Sequence, residues 1–264
     1  MSKNGPLALA FNALVIAFML APLVIVCVVA FTPENTLTLP TTEFSLRWFR
    51  AAFAHPDFMQ SFWNSLWLAL ASSTIATLLA VPAGMAITRY AFPGRDFLNA
   101  LFLSPLIIPH LVLGVALLRL FALVGGAGSF GFLVMAHALI VTPYTLRLVV
   151  AALVGFDRSA EQAALSLGAS QATVFKRITL PMILPGVTGG WLLAFINSFD
   201  EVTMSIFVTS PSTVTLPVRM YMYATESIDP LMAAVSALMV AVTAVAMIVL
   251  DRVYGLDRVL VGRR

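Results

Sequence analysis

The stretch Asn197-Ser198-Phe199-Asp200-Glu201 places two adjacent carboxylates, an amide and a hydroxyl inside an otherwise apolar run. On a continuous helix Asn197, Asp200 and Glu201 stand at i, i+3 and i+4 and share one face. In a membrane helix each such charge costs about 2.5–3.5 kcal/mol on insertion scales, so it faces a bundle interior or a wet cavity. Two roles fit these residues. They line a path or gate that attracts an amino-bearing solute, or they pair with another helix, for which His110 is the nearest candidate by depth. Acid–base catalysis is not required, because adjacent helical residues diverge by roughly 100°. The three histidines, His55, His110 and His137, form no paired motif. No G-x-x-x-x-G-K-[ST] loop is present with which the chain itself could hold ATP. Cys27, the single cysteine, leaves no intrachain disulfide and no cysteine-based metal set. No catalytic residue, metal site or cofactor of the chain's own is expected.

The elements that must position these groups are membrane spans. Of the 264 residues 60% are hydrophobic and 10% charged, which points to a polytopic membrane protein. Apolar runs predict six spans, at about 7–31, 61–88, 97–121, 132–155, 184–208 and 231–250, several near the ~20 residues that cross a bilayer. The first run exceeds the ~7–15 residues of a signal-peptide core and reads as a retained span. With Lys3 inside, eleven basic residues fall on the inner face and four (Arg47, Arg50, Arg119 and Arg219) on the outer. That bias predicts cytoplasmic termini and a cytoplasmic loop at 157–181. It also accounts for the net charge of +3 without nucleic acid.

Several spans carry breaks. Pro105 and Pro109 each remove an amide donor and crowd the preceding turn, so span three is expected to bend or loosen there. His110 follows directly, as a helix-bonded histidine or a cavity residue. Thr142-Pro143-Tyr144 predicts a second kink in span four, where Tyr144 is placed on the path. Irregular backbone survives in a bilayer only where protein or trapped water satisfies it. Outside the membrane, Ser45 to Phe53 reads as a short amphipathic helix with Trp and Phe at interface depth. Gly125-Gly126-Ala127-Gly128 reads as a turn, and Leu216 to Tyr223 as a second amphipathic piece.

Between spans four and five lies a polar island, Asp157 to Gly186. Ser159 with Gln162 forms a capping-box pattern, predicting a helix from about Ala160. Gly168 stands where a left-handed residue ends that helix. A second helix, Gln171 to Ile178, is expected to stop before Leu180-Pro181. Two short helices hinged on a glycine make a compact knob, with Glu161 on an exposed face.

This pattern resembles the EAA loop of bacterial type I ABC importer permeases: Glu161 and Ala164 open it, Gly168 follows seven residues after Glu161, and Ile178-Thr179-Leu180-Pro181 closes it. Gln162 departs from the usual alanine. The resemblance covers about Trp63 to Asp251. It is closest to the polyamine, opine and phosphonate branch, where Ser104 to His110 matches the corresponding helix, although relatives there place a carboxylate where His110 stands. The resemblance implies an all-α integral membrane fold of six transmembrane helices. Residues 1–60 form the first helix and outer segment, 61–251 the transmembrane core with coupling loop 157–186, and 252–264 a short basic tail. It implies that Glu161, Ala164, Gly168, Ile178, Leu180 and Pro181 couple to an ATPase, and that Asn197, Asp200, Glu201, His110 and Tyr144 line the path. The implied partners are two ATP-binding cassette subunits holding ATP and Mg, a second and different permease chain, and a periplasmic or extracellular solute-binding protein, in the inner membrane. The solute implied is polyamine-like, with an opine, amino acid, aminoalkylphosphonate or ferric ion as alternatives. A secondary transporter would share kinked spans and buried carboxylates but has no use for the knob.

Overall fold

The computed structural model describes residues 5–39, 43–155 and 157–254. Lys3 and the basic tail beyond Tyr254 lie outside them. The described chain is helical throughout: α1 (Pro6–Val29), α2 (Arg47–Ala54), α3 (Pro56–Arg89), α4 (Arg95–Leu103), a 3₁₀ turn (Ser104–Leu106), α5 (His110–Leu123), α6 (Phe130–Val154), α7 (Ser159–Ser166), α8 (Gln171–Val174), a π turn (Phe175–Thr179), α9 (Leu180–Phe199), α10 (Ser205–Val208), α11 (Leu216–Glu226) and α12 (Pro230–Tyr254). Five of the helical stretches are long and apolar enough to cross a membrane, and the bent pair α4–α5 makes a sixth. The protein is an all-α membrane protein. Its described residues fall into two compact units, one within Met1–Gln60 and Arg219–Ala244, the other within Ser61–Val218 and Val245–Arg264.

In the first unit, α1 starts with Pro6 in its first turn, where a missing amide costs nothing. It buries only Val29; Phe11, Leu14, Phe18 and Met19 are exposed, as lipid-facing side chains would be. The short amphipathic helix expected between Ser45 and Phe53 forms as α2. Its Trp48 is buried and donates from Nε1 to the Glu34 carbonyl at 3.0 Å, under a cation–π contact from Arg47 at 4.9 Å.

The second unit is built on α6, which buries Leu133, Ile140, Val141, Leu146, Val149 and Leu153. Helix α9 lies against it through Gly186 and Gly190, a small-xxx-small pair. A Cβ on Gly190 would stand 3.0 Å from Thr145 Cα, and one on Gly186 would stand 2.9 Å from the Leu148 carbonyl oxygen. Closeness lets the Thr145 hydroxyl donate to the Gly190 carbonyl at 3.1 Å. Lipid tails are as apolar as leucine, so this contact rests on packing and hydrogen bonding rather than on the hydrophobic effect.

Three spans show how local sequence shapes a helix in different ways. Span three is broken, as its prolines predict: the stretches Arg95–Leu106 and His110–Leu123 meet at 101°. Span four is one unbroken helix; α6 runs on through Pro143, and the Thr142 hydroxyl bonds the Ala138 carbonyl at 2.6 Å beside it. Span five is displaced toward the N-terminus. It extends from Gln171 to Phe199 instead of from 184 to 208, because the helix after the knob does not stop before Pro181. The π turn carries it through: Leu180 N–H bonds the Phe175 carbonyl five residues back, which widens the helix just before the proline ring.

The knob forms, with a different start. Ser159 is the first residue of α7 and not its cap, since its amide and hydroxyl both donate to the Asp157 carboxylate, at 3.0 and 2.8 Å. Those bonds, the backbone one first, hold the Asp157 carboxyl below the usual carboxylate range. The end is as expected. Gly168 has φ +86, Gly168 N–H bonds the Leu165 carbonyl and Ala169 N–H the Ala164 carbonyl, both at 3.0 Å, which is a Schellman closure.

Two substitutions test this packing. Gly190→Val should cost about 1–3 kcal/mol or more by overpacking, read as a lower melting temperature in detergent, with Leu193→Ala on the exposed side of α9 as a near-neutral control. Gly168→Val meets no atom within 4 Å, so its cost is backbone strain alone. It should leave insertion intact and destabilise the knob, read as faster proteolysis within 157–170; an unchanged cleavage rate would show that the left-handed turn is absent.

Candidate functional site

Two groups of polar side chains stand out in the second unit, one at the knob and one at the far end of α9. At the knob, Glu161 is not the exposed residue that its helical position predicted. Its carboxylate receives both guanidinium ends of Arg89, at 2.8 and 3.1 Å, and the Thr179 hydroxyl as well. The two charged side chains are 14% and 8% exposed, so the pair is largely shielded. Arg158 adds a bond to the Thr88 carbonyl at 3.0 Å. Glu161 thus joins α7 to the end of α3 and to the π turn that begins the long α9 stretch. A bidentate pair of this kind fixes geometry as well as charge.

Beside the pair opens a groove of about 440 Å³, bordered by Met85, Arg89, Arg158, Gln162, Leu165 and Phe175. The other residues of the expected coupling set do not border it. Ala164 is half-buried, Gly168 and Pro181 are exposed, and Ile178 and Leu180 are half-buried on the stretch that enters α9. Leu167, beside Gly168, is 89% exposed, leaving a bare apolar side chain at the tip of the knob.

At the other end, α9 stops at Phe199 and does not carry the carboxylates along one face. Asp200 is its C-cap and Glu201 lies in the turn beyond. Asn197 is not grouped with them, since its side-chain amide bonds back to the Leu193 carbonyl at 2.8 Å. The break has a physical cause. Glu201 turns inward and accepts from the backbone amides of Met204 and Ser205, at 2.7 and 2.9 Å, and from the Ser205 hydroxyl at 2.7 Å. A carboxylate that satisfies the first amides of α10 competes with continuation of α9. His110, the first residue of α5, sits 3.5 Å from the same carboxylate. Glu201 is therefore buried and paired, whereas Asp200 beside it is exposed. Tyr144 joins neither; it packs half-buried against the apolar core of α3, α5, α6 and α9.

Three residues that sequence reading passed over complete this region. His137 on α6 is fully buried, with Nδ1 2.8 Å from the Ser198 hydroxyl and Nε2 2.9 Å from the Ser205 hydroxyl. Ser72 on α3 lies 2.9 Å from Ser198. Ser198 was legible as part of the polar stretch, but a lone histidine, Ser72 and Ser205 carry no spacing signal that links them. Among the described residues no group of three or more His, Cys, Asp or Glu could hold a metal ion.

Residues 76–256 match the family described as "Binding-protein-dependent transport system inner membrane component". The chain is 32% identical to the spermidine/putrescine transport system permease protein PotC of Haemophilus influenzae, covering 92% of this chain and 94% of that one. It is 31% identical to the putrescine transport system permease protein PotI of Escherichia coli over 81% and 78%. Among solved structures, a bacterial ABC transporter that imports the acidic polysaccharide alginate superimposes with a TM-score of 0.69 at 13% identity, over 96% of this chain and 97% of that one. The MetNI methionine ABC transporter gives 0.63 at 19%, over 75% and 94%, so both speak to fold alone. The chain belongs to the inner-membrane components of binding-protein-dependent transport systems, with the fold of a type I ABC importer permease.

Proposed function

We propose that this chain is the transmembrane subunit of an ATP-driven importer that passes a small amino-bearing, polyamine-like solute from a binding protein to the cytoplasm by alternating access. The observation that carries this is the exposed Asp200 at the break after α9, in a chain whose relatives include spermidine and putrescine permeases. An anionic group lining a wet path attracts an ammonium without a dedicated pocket. Hydrolysis takes place elsewhere: ATP and Mg sit on two partner ATPase subunits, which grip the knob of this chain and of a second, different permease. Both termini and the knob then face the cytoplasm. The stretch from Gln171 to Phe199 is the lever between the ATPase grip and the break at Asp200.

A second reading has support of its own. His110 beside Glu201 brings a potential cation into the region. In addition, the molybdenum transport system permease protein ModB of Escherichia coli is 35% identical over 60% of this chain. Percentage identity therefore does not decide the sign of the solute's charge. A solute with both amino and anionic groups, such as an opine, amino acid or aminoalkylphosphonate, suits a site with one exposed carboxylate and a nearby histidine; a ferric ion would also have to be tried.

The test is purification together with the products of neighbouring genes, then uptake into proteoliposomes. ATP-dependent uptake of labelled spermidine, inhibited by putrescine and not by molybdate, supports the proposal; ion-coupled uptake by this chain alone would sink it. Within that assay Asp200→Asn should cut spermidine uptake per ATP hydrolysed by about tenfold, equivalent to about 1.4 kcal/mol. At the knob, Glu161→Gln should cost about 1.5–3 kcal/mol by replacing a charge-assisted bidentate pair with a neutral acceptor. The exchange Arg89→Glu with Glu161→Arg should recover part of it, a coupling of roughly 0.5–3 kcal/mol in a double-mutant cycle. Additive losses would mean that Glu161 acts only on the partner.

A further inference from the structure

The polar groups around the break form a single chain of hydrogen bonds, and its direction is readable. The Ser205 hydroxyl donates to Glu201, so its oxygen accepts from His137, and the ring proton is assigned to Nε2. Nδ1 then accepts from the Ser198 hydroxyl. Each hydroxyl or ring N–H donates once along the line from Ser198 to His137, Ser205 and Glu201; Ser72, whose own hydroxyl donates to the Leu68 carbonyl at 2.8 Å, lies 2.9 Å from Ser198 at the start of the line. Such one-way chains strengthen each bond in them. They also cross-link three elements, α9, α6 and α10, and His137 is the only member that touches both sides of the break.

We propose that His137 is a positioning residue of the solute path: its two ring nitrogens span the break between α9 and α10, hold Glu201 on its capping bonds and so keep Asp200 turned outward. The span matters because Ser198 is in the last turn of α9 and Ser205 opens α10, a helix of only four residues. Without the ring, the Ser205 hydroxyl loses its donor and Ser198 loses its bond to Nδ1 and is left with Ser72, both at buried positions. The inexpensive way out is rotation of the 200–204 turn, which swings Asp200 with it. The proposal rests on Asp200 lining the path, so its test needs one arm that does not depend on any solute.

That arm is thiol labelling. In the purified complex with Cys27→Ser and Asp200→Cys, the rate of modification by a membrane-impermeant methanethiosulfonate reports the setting of the turn. His137→Leu removes both bonds and should change that rate about fivefold or more. His137→Gln, which offers one acceptor and one donor, should restore it to within about twofold. Ser205→Ala, which cuts one link only, should shift it in the same direction as His137→Leu and serves if the leucine variant does not assemble. In the complex with Asp200 intact, His137→Leu should also lower spermidine uptake per ATP hydrolysed by about tenfold, with the glutamine variant recovering. Labelling rates unchanged in both His137→Leu and Ser205→Ala overturn the proposal. So does a parallel fall in complex yield, ATPase activity and uptake with uptake per ATP constant, since that marks a merely structural histidine. If the unmodified complex carries neither spermidine nor putrescine, the solute reading fails while the labelling arm still decides on His137.

Discussion

Backbone amides and carbonyls that lack water must find partners within the protein, so a break inside a span needs groups that supply them. The break after α9 is the clearest case. Glu201 satisfies the amides of Met204 and Ser205, and that capping ends one helix, starts the next and leaves Asp200 outside. Had α9 continued, both carboxylates would have lain along one helical face, at a cost of a few kcal/mol each in hydrocarbon. One is instead internal and bonded, and the other is exposed.

The opposite end of the same helix obeys a related constraint. A knob built from an eight-residue helix and a four-residue helix has too few turns to be stable alone. Its shape is fixed by a Schellman closure at Gly168 and by Glu161, which ties it to Arg89 and Thr179. Because Thr179 is part of the π turn at the start of α9, α7 is joined to α9 by a side-chain hydrogen bond as well as by the chain. The Gly186 and Gly190 contact with α6 then gives the helix a closely packed track.

Much of this was legible in the sequence where local rules act alone. The apolar runs located the spans to within a few residues except for span five, paired prolines located the bend in span three, and Gly168 located the left-handed turn. Local rules misled where a distant partner outweighed them. Proline stops most helices, but the π turn before Pro181 removes the clash, and nothing in the composition of Phe175–Thr179 announces it. Helical spacing placed Asp200 and Glu201 on one face with Asn197, because it could not show that Glu201 would cap the amides three and four residues on. Glu161 read as exposed because its partner Arg89 is 72 residues away. His137 read as a lone histidine because its partners lie on two other helices.

The central claim is that one helical stretch links the knob to the carboxylate break, and its rigidity is measurable. Spin labels at Ala172 and Leu193, both exposed, bracket the π turn and both prolines in a Cys27→Ser background. At about 1.5 Å per residue their backbones stand roughly 31 Å apart. In the complete complex, pulsed electron–electron resonance should give the same distance, to within about 2 Å, with and without nucleotide. A distance that changes with nucleotide by several ångströms would show that the helix bends or unwinds at Phe175–Thr179, and that it is not a lever.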